Sequence, residues 1–405
     1  MPGGPFRPPF SLAREVLALQ NLVILKESSG GLAGFVSVGW KVALSLAHRA
    51  IRRHLISFLL AALLAGVCAC RVAPGPKPIF RSDLRPYGFP TQTQGRILGS
   101  FSDISFLSGD LVLVTVNTRN FAAEDSDASD EPESRLLLFD ISKRALRQTA
   151  ELPVEKAKDS VQSAGNDSFV LLNRAGVQIC SSDLECGAPV PTREPLFVSP
   201  QGSHIAVGGR THWEQKLLDG KTLAEQESFA ANEPRVIPGD HALLYVQKGK
   251  LYVRKLDQPE PQFVVEAGNT GVWPEARFLN GTTIAVLQSD KEMAIVTLEG
   301  KTIARVPVSA GSFLAEVSTA ASGTRFCFHD AGYRGLGALL NFLSIERPFN
   351  LERVNVMETA TGKSRFRLRW DPRPYVGDLS RPALSPDGHR VALIRHGFLE
   401  VFEIR

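Results

Sequence analysis

Cysteine is scarce in this chain of 405 residues, which holds five, at 68, 70, 180, 186 and 327. That spacing does not supply the four closely grouped ligands of a structural zinc site. Long hydrophobic runs are missing too. The uncharged run from Leu55 to Cys70 has 16 residues, against roughly 20 for a helix that spans a bilayer. A basic footprint is absent once the first 69 residues are set aside. They hold seven Lys/Arg against Glu15 and Glu27, which leaves 39 basic and 40 acidic residues for the rest. Phosphate-backbone binding needs a positive surface, so no nucleic acid is expected as a partner. Neither a G-x-S-x-G elbow nor an H-E-x-x-H pair occurs, and neither a hydrolase serine nor a zinc helix announces itself.

Arg49, Arg52, Arg53 and His54 precede LISFLLAALLAGVCAC, and the Pro-rich RVAPGPKP follows. A basic region, a short apolar run and small residues at its end describe a secretory signal. Cleavage is expected between Ala69 and Cys70. Val67 and Ala69 fit ordinary signal peptidase, whereas Val67-Cys68-Ala69-Cys70 also resembles a bacterial lipobox, with Cys68 where a small residue is usual and Cys70 as the lipidated residue. A freely exported protein and a lipoprotein both stay open; a retained membrane segment is the weaker reading. The expected location is the bacterial cell envelope, periplasmic or membrane-anchored through Cys70 or the leader, or secreted. A signal's basic region normally opens the chain. Residues 1–48 are therefore either upstream sequence translated from a misplaced start or an unusually long basic region. Methionine occurs only at 1, 293 and 357, so a later start would use another codon.

What is present is a repeat. Seven segments align on a turn glycine: FLSGDLVLVTV, QSAGNDSFVLL, SPQGSHIAVG, VIPGDHALLYV, FLNGTTIAVLQ, AASGTRFCFH and SPDGHRVALI, on Gly109, Gly165, Gly202, Gly239, Gly281, Gly323 and Gly388. A short apolar strand follows each turn, then a second strand such as RLLLFDI or LEVFEI. Three Gly-Lys pairs, at 220, 300 and 362, lead into a further strand. Four short strands per period near 40 residues is the signature of a propeller blade, and one blade buries too little apolar surface to stand alone. The fold class is therefore all-β, a β-propeller of seven four-stranded blades. The last repeat stops one strand short, and a strand at Gly95 to Ser100 is expected to close the ring. The organisation reads as an N-terminal extension and leader at 1–69, a Pro-rich linker at 70–94 and a propeller at 95–405.

Through SPQG at Ser199–Gly202 and SPDG at Ser385–Gly388, residues 95–405 resemble the WD-repeat-like and TolB-like propellers of bacterial envelopes. The resemblance implies a fold. Members serve as scaffolds, receptors, assembly factors and enzymes, so it implies no single activity.

Two insertions interrupt the period. The first, near 122–133, carries six acids in ten residues from Glu124 to Glu133. Asp125, Asp127 and Ser129 have the 1, 3, 5 spacing of a calcium loop, but Asp130 stands where the turn wants Gly and Leu136 where a bidentate Glu belongs. A solvated hairpin tip is preferred. The second, near 331–350, reads AGYRGLGALLNFLSIERPFN. Leu339, Leu340, Phe342 and Leu343 in it form a short amphipathic helix or an apolar loop, packed on the propeller or offered to a partner. His329-Asp330, at its mouth, is the candidate ligand-binding pair.

The Gly-Lys triplets do not make a phosphate loop. Such a loop needs Gly five positions earlier, where Gln215, Ile295 and Met357 stand. Cys180 and Cys186 flank SSDLE and are expected to form a disulfide in an oxidising compartment. Cys327, between Phe326 and Phe328, reads as core. The sequence thus points to a non-catalytic binding or scaffold module with no cofactor, whose partner is an envelope protein or small ligand. Its rivals are a lactonase- or hydrolase-type propeller enzyme with a composite channel site holding a metal, and a structural envelope lipoprotein.

Overall fold

The repeats are apolar at consecutive positions in their middle strands, as in LVLV at 111–114, LLLF at 136–139 and VALI at 391–394. Such strands must bury both faces. A computed structural model of the chain describes residues 75–89, 103–117, 134–152, 160–165, 167–173, 175–209, 214–229, 235–247, 250–266, 276–289, 292–308, 317–333, 350–370 and 382–405. Seven antiparallel sheets meet the burial demand as the blades of a β-propeller.

The first strand, β1 (Phe80–Asp83), precedes blade one, which is β2 (Ile104–Phe106), β3 (Leu111–Asn117), β4 (Ser134–Asp140) and β5 (Ala145–Leu152). Blade two is β6 (Ser160–Gly165), β7 (Ser168–Asn173) and β8 (Gly176–Ser181); blade three is β9 (Arg193–Val198), β10 (His204–Gly208), β11 (Gln215–Asp219) and β12 (Glu225–Phe229). Blade four follows as β13 (Arg235–Pro238), β14 (Ala242–Gln247), β15 (Lys250–Lys255) and β16 (Gln262–Glu266), and blade five as β17 (Ala276–Phe278), β18 (Thr283–Ser289), β19 (Glu292–Thr297) and β20 (Thr302–Pro307). Blade six is β21 (Ser318–Thr319), β22 (Arg325–Tyr333), β23 (Asn350–Glu358) and β24 (Ser364–Trp370). Blade seven takes β25 (Ala383–Leu384), β26 (Arg390–Arg395) and β27 (Phe398–Glu403), with β1 on its outer edge.

Ring closure corrects the expected strand at Gly95 to Ser100. Phe80 of β1 pairs with Val401 of β27, so the stretch read as a Pro-rich linker contributes a blade strand; residues 95–100 lie outside the described residues. Phe80 supplies the reason, because its ring is buried against Phe139 of blade one at 5.9 Å. Burying a Phe of this kind is worth about 2–3 kcal/mol.

Each pair of neighbouring blades shares one apolar layer. Alternate residues of one strand serve opposite layers: Val112 and Val114 pack toward blade seven, and Leu113 packs toward Phe169 and Leu171 of blade two. Blade two departs from four strands among the described residues. Residues 186–190 run beside β8 through the Val177–Val190 and Cys180–Cys186 bridges, where a fourth strand would lie.

All seven anchor glycines sit in or beside the turn between a blade's first and second strands. The Gly-Lys pairs occupy the turns between third and fourth strands, which places them on the same rim. The two insertions leave from the other rim, because each joins a second strand to a third: β3 to β4 and β22 to β23. They belong to blades one and six, the neighbours of blade seven. Ala331 to Tyr333 and Asn350 are strand residues, so the second insertion is narrower than the sequence indicates.

Candidate binding site in the central channel

The innermost strands of all seven blades line one cavity of about 160 Å³. Its organisation follows from strand register. The residue four positions past each anchor glycine lies on a blade's second strand and pairs with one residue of the innermost strand. Those partners are Ser105, Ser163, Phe197, Pro238, Arg277, Ser318 and Ala383. All seven line the cavity, and together they make one level of the channel.

Within that level Arg277 of blade five reaches past blade four. Its guanidinium carbon lies 4.3 Å from the centre of the Phe197 ring in blade three. A cation over an aromatic face is attracted by the ring quadrupole, more so where water is excluded. Ile104 and Phe106, on either side of Ser105, point instead into the layer between blades seven and one.

Much of the polar lining ties neighbouring blades together. The Asp103 carboxylate accepts the Val161 N–H at 3.2 Å, and the Ser318 hydroxyl oxygen accepts the Leu384 N–H at 3.2 Å. The Gln162 amide donates to the Leu196 carbonyl at 2.9 Å and accepts from the Val198 N–H at 3.1 Å. On the glycine-turn rim, Asp240 accepts hydroxyl protons from Ser199 and Ser203, each at 2.8 Å, and the Gln201 N–H at 3.1 Å. There too Arg325 donates to the Gly388 carbonyl at 2.9 Å, and Arg390 to the Gly109 carbonyl at 2.6 Å.

His329 and Asp330 lie midway along β22 and are almost fully buried. His329 Nε2 is 2.5 Å from the Glu352 carboxylate, and its ring stacks on Trp370 with centroids 6.0 Å apart. Asp330 is ion-paired with Arg353. The pair therefore stands on the strand next to the innermost one, ahead of the second insertion, and each member is engaged within its own blade. Cys180 and Cys186 form a disulfide across the outer edge of blade two. Cys327 is fully buried, and burial pushes its thiol up to about 12, which removes thiolate chemistry near neutral pH.

Leu339, Leu340, Phe342 and Leu343, the acidic Asp125, Asp127 and Ser129, and Cys70 lie outside the described residues. Among the described residues no group of three or more His, Cys, Asp or Glu could hold a metal ion.

Sequence reasoning did not find the level formed by Arg277 and Phe197. Register is the signal that exposes it. The turn before the anchor glycine varies, so Ser163 stands two residues ahead of Gly165 and Ser318 five ahead of Gly323.

No family model matches the chain, and no characterised protein matches its sequence. By shape, 768 solved chains match. Hsv2 of Kluyveromyces marxianus is 12% identical with a TM-score of 0.40, over 59% of this chain and 69% of that one. Hsv2 of Kluyveromyces lactis is 13% identical with a TM-score of 0.40, over 61% and 75%. Similarity at that level is one of propeller fold alone.

Proposed function

We propose that the chain is an exported or membrane-tethered propeller acting as a non-catalytic binding or scaffold module in a bacterial cell envelope. Its contact surface is the 331–350 insertion with Leu339, Leu340, Phe342 and Leu343, and its partner another envelope protein. One observation supports this over channel chemistry. The groups best suited to acid–base work, Asp103, Asp240, His329 and Asp330, are engaged by backbone N–H groups, hydroxyls or ion-pair partners of the frame. A propeller built this way is a rigid platform, and rigid scaffolds commonly carry recognition on their loops.

The test compares the full chain with a version whose residues 334–349 are replaced by a Gly/Ser link, each purified natively from the cell envelope. The expected result is one protein partner, identified by mass spectrometry, that is lost with the insertion. Recovery of the same partner from both versions would move the contact elsewhere, and turnover of a substrate by both would end the non-catalytic reading. The mass of the mature N-terminus separates a lipid on Cys70 from an unmodified end.

A further inference from the structure

We infer that the outer edge of blade six, strand β24, takes an acidic, extended segment of another protein as a fifth strand. This site is separate from the 331–350 surface proposed above and does not depend on it.

Blade six is ordered β21-β22-β23-β24, and no strand pairs beyond β24 among the described residues. An edge of this kind presents a row of N–H and C=O groups that can take up another chain. Its seven residues, Ser364–Trp370, offer about 23 Å of edge. What sets the edge apart is its charge. Phe366, Leu368 and Trp370 pack into the layer shared with blade seven, which turns Arg365, Arg367 and Arg369 to the opposite face. Arg365 and Arg367 are exposed. Arg365 donates to the Glu358 carboxylate at 2.7 Å, and Arg367 Nε donates at 3.0 Å to Asn355, a neutral acceptor. Arg369 already has a contact of its own, so Arg365 and Arg367 are the two that meet a partner.

The other outer strands differ. β1, β5, β12 and β16 each carry at least one acid, Asp83, Glu151, Glu225 and Glu266 respectively, and the single arginine of β20, Arg305, is ion-paired with Glu292. β24 has three arginines and no acid.

Alternate residues of a strand lie on one face about 6.6 Å apart, and an added strand has the same period. Acids at alternate positions would therefore stand across the edge from Arg365 and Arg367, where opposite charges stabilise a pair and like charges destabilise it. Charge on an edge keeps neutral and basic chains away; the same charge admits an acidic one. The backbone supplies hydrogen bonds that any sequence can make, and the arginines select the sign.

The test is fluorescence anisotropy of the full chain with a labelled seven-residue peptide that alternates Glu and Val. Saturable binding is expected, weakened about fivefold in Arg367→Glu and in Arg365→Glu and reduced by added salt. Control peptides read the geometry. One has the same composition with its glutamates grouped at one end; two others keep the alternation and carry N-methyl groups along one edge or the other. The grouped peptide and one of the methylated pair should bind more weakly. Equal binding of the alternating and grouped peptides overturns strand addition, as does full affinity of both methylated forms. Absence of saturable binding at millimolar peptide is equally fatal. If sedimentation shows that Arg367→Glu converts a dimer of the parent to a monomer, a second copy covers this edge and the acidic-peptide reading falls. Should near-ultraviolet circular dichroism show that the charge-reversal variants do not fold, Arg367→Gln and the control peptides decide, and unchanged affinity in Arg367→Gln overturns the role of the arginine.

Discussion

Phe80 is paired with Val401, so the earliest described strand completes the blade built by the last three strands of the chain. The ring is held shut by a contact between residues more than three hundred positions apart. Phe80 also reaches the layer that blade seven shares with blade one, through Phe139. Phe80→Ala should therefore cost about 3–5 kcal/mol, the range for truncating a buried Phe, read as a fall in the urea midpoint. A change below about 0.5 kcal/mol would mean that β1 does not secure the ring.

The anchor glycines are not equivalent, although they align in sequence. Gly202 has φ +75°, and a Cβ there would stand 1.9 Å from the Ala164 carbonyl oxygen of the next blade. At Gly109 a Cβ would meet nothing within 4 Å. Gly202→Ala should destabilise by more than the ~1–2 kcal/mol of left-handed backbone strain alone, because the blade interface must also open. Gly109→Ala should stay within about 0.5 kcal/mol of the parent. Equal effects in thermal melts of the two variants would contradict this assignment of close blade approach.

This contrast shows what was legible in the sequence. The blade period was, because turn chemistry and consecutive apolar runs are local and repeat seven times. The closing strand was not, since Phe80 and Arg81 sit in a single short segment beside a Pro-rich run and read as linker. His329-Asp330 was visible as a pair, yet its fate depends on Glu352 and Arg353, which lie beyond an insertion and meet it only through the β22–β23 register. The Arg277 level was hidden because turn lengths vary; only pairing to the second strand brings Ser105, Ser163 and Ser318 into line.

The disulfide should matter locally. Cys180 and Cys186 join β8 to residues that stand in for a fourth strand. The chain-entropy relation for so short a loop gives about 2.4 kcal/mol. Reductant should lower the denaturation midpoint of the parent by that order and leave a Cys180→Ala, Cys186→Ala variant unmoved. If both forms shift alike, reductant acts elsewhere.

Asp140 gives a pH dependence whose sign is fixed by its hydrogen bonds. At the end of β4 its carboxylate accepts the Ser142 hydroxyl at 2.6 Å and the Lys143 N–H at 2.9 Å. These bonds, the Ser142 hydroxyl first, hold it down to about 2 from an ordinary 3.8. A carboxyl lowered on folding contributes stability that is fully present above its unfolded value and is lost as pH falls through the folded one. The contribution of Asp140 should thus be constant near neutrality and disappear between about pH 4 and pH 2. Asp83, Asp219, Glu225, Glu358 and Asp387 are lowered as well, so the whole protein weakens in acid and only a difference isolates one group. Comparing the melting temperatures of the parent and Asp140→Asn supplies that difference. It should be steady from pH 7 to 5 and shrink below 4, whereas a gap that persists unchanged to pH 2 would show that the charge on Asp140 contributes nothing to this turn.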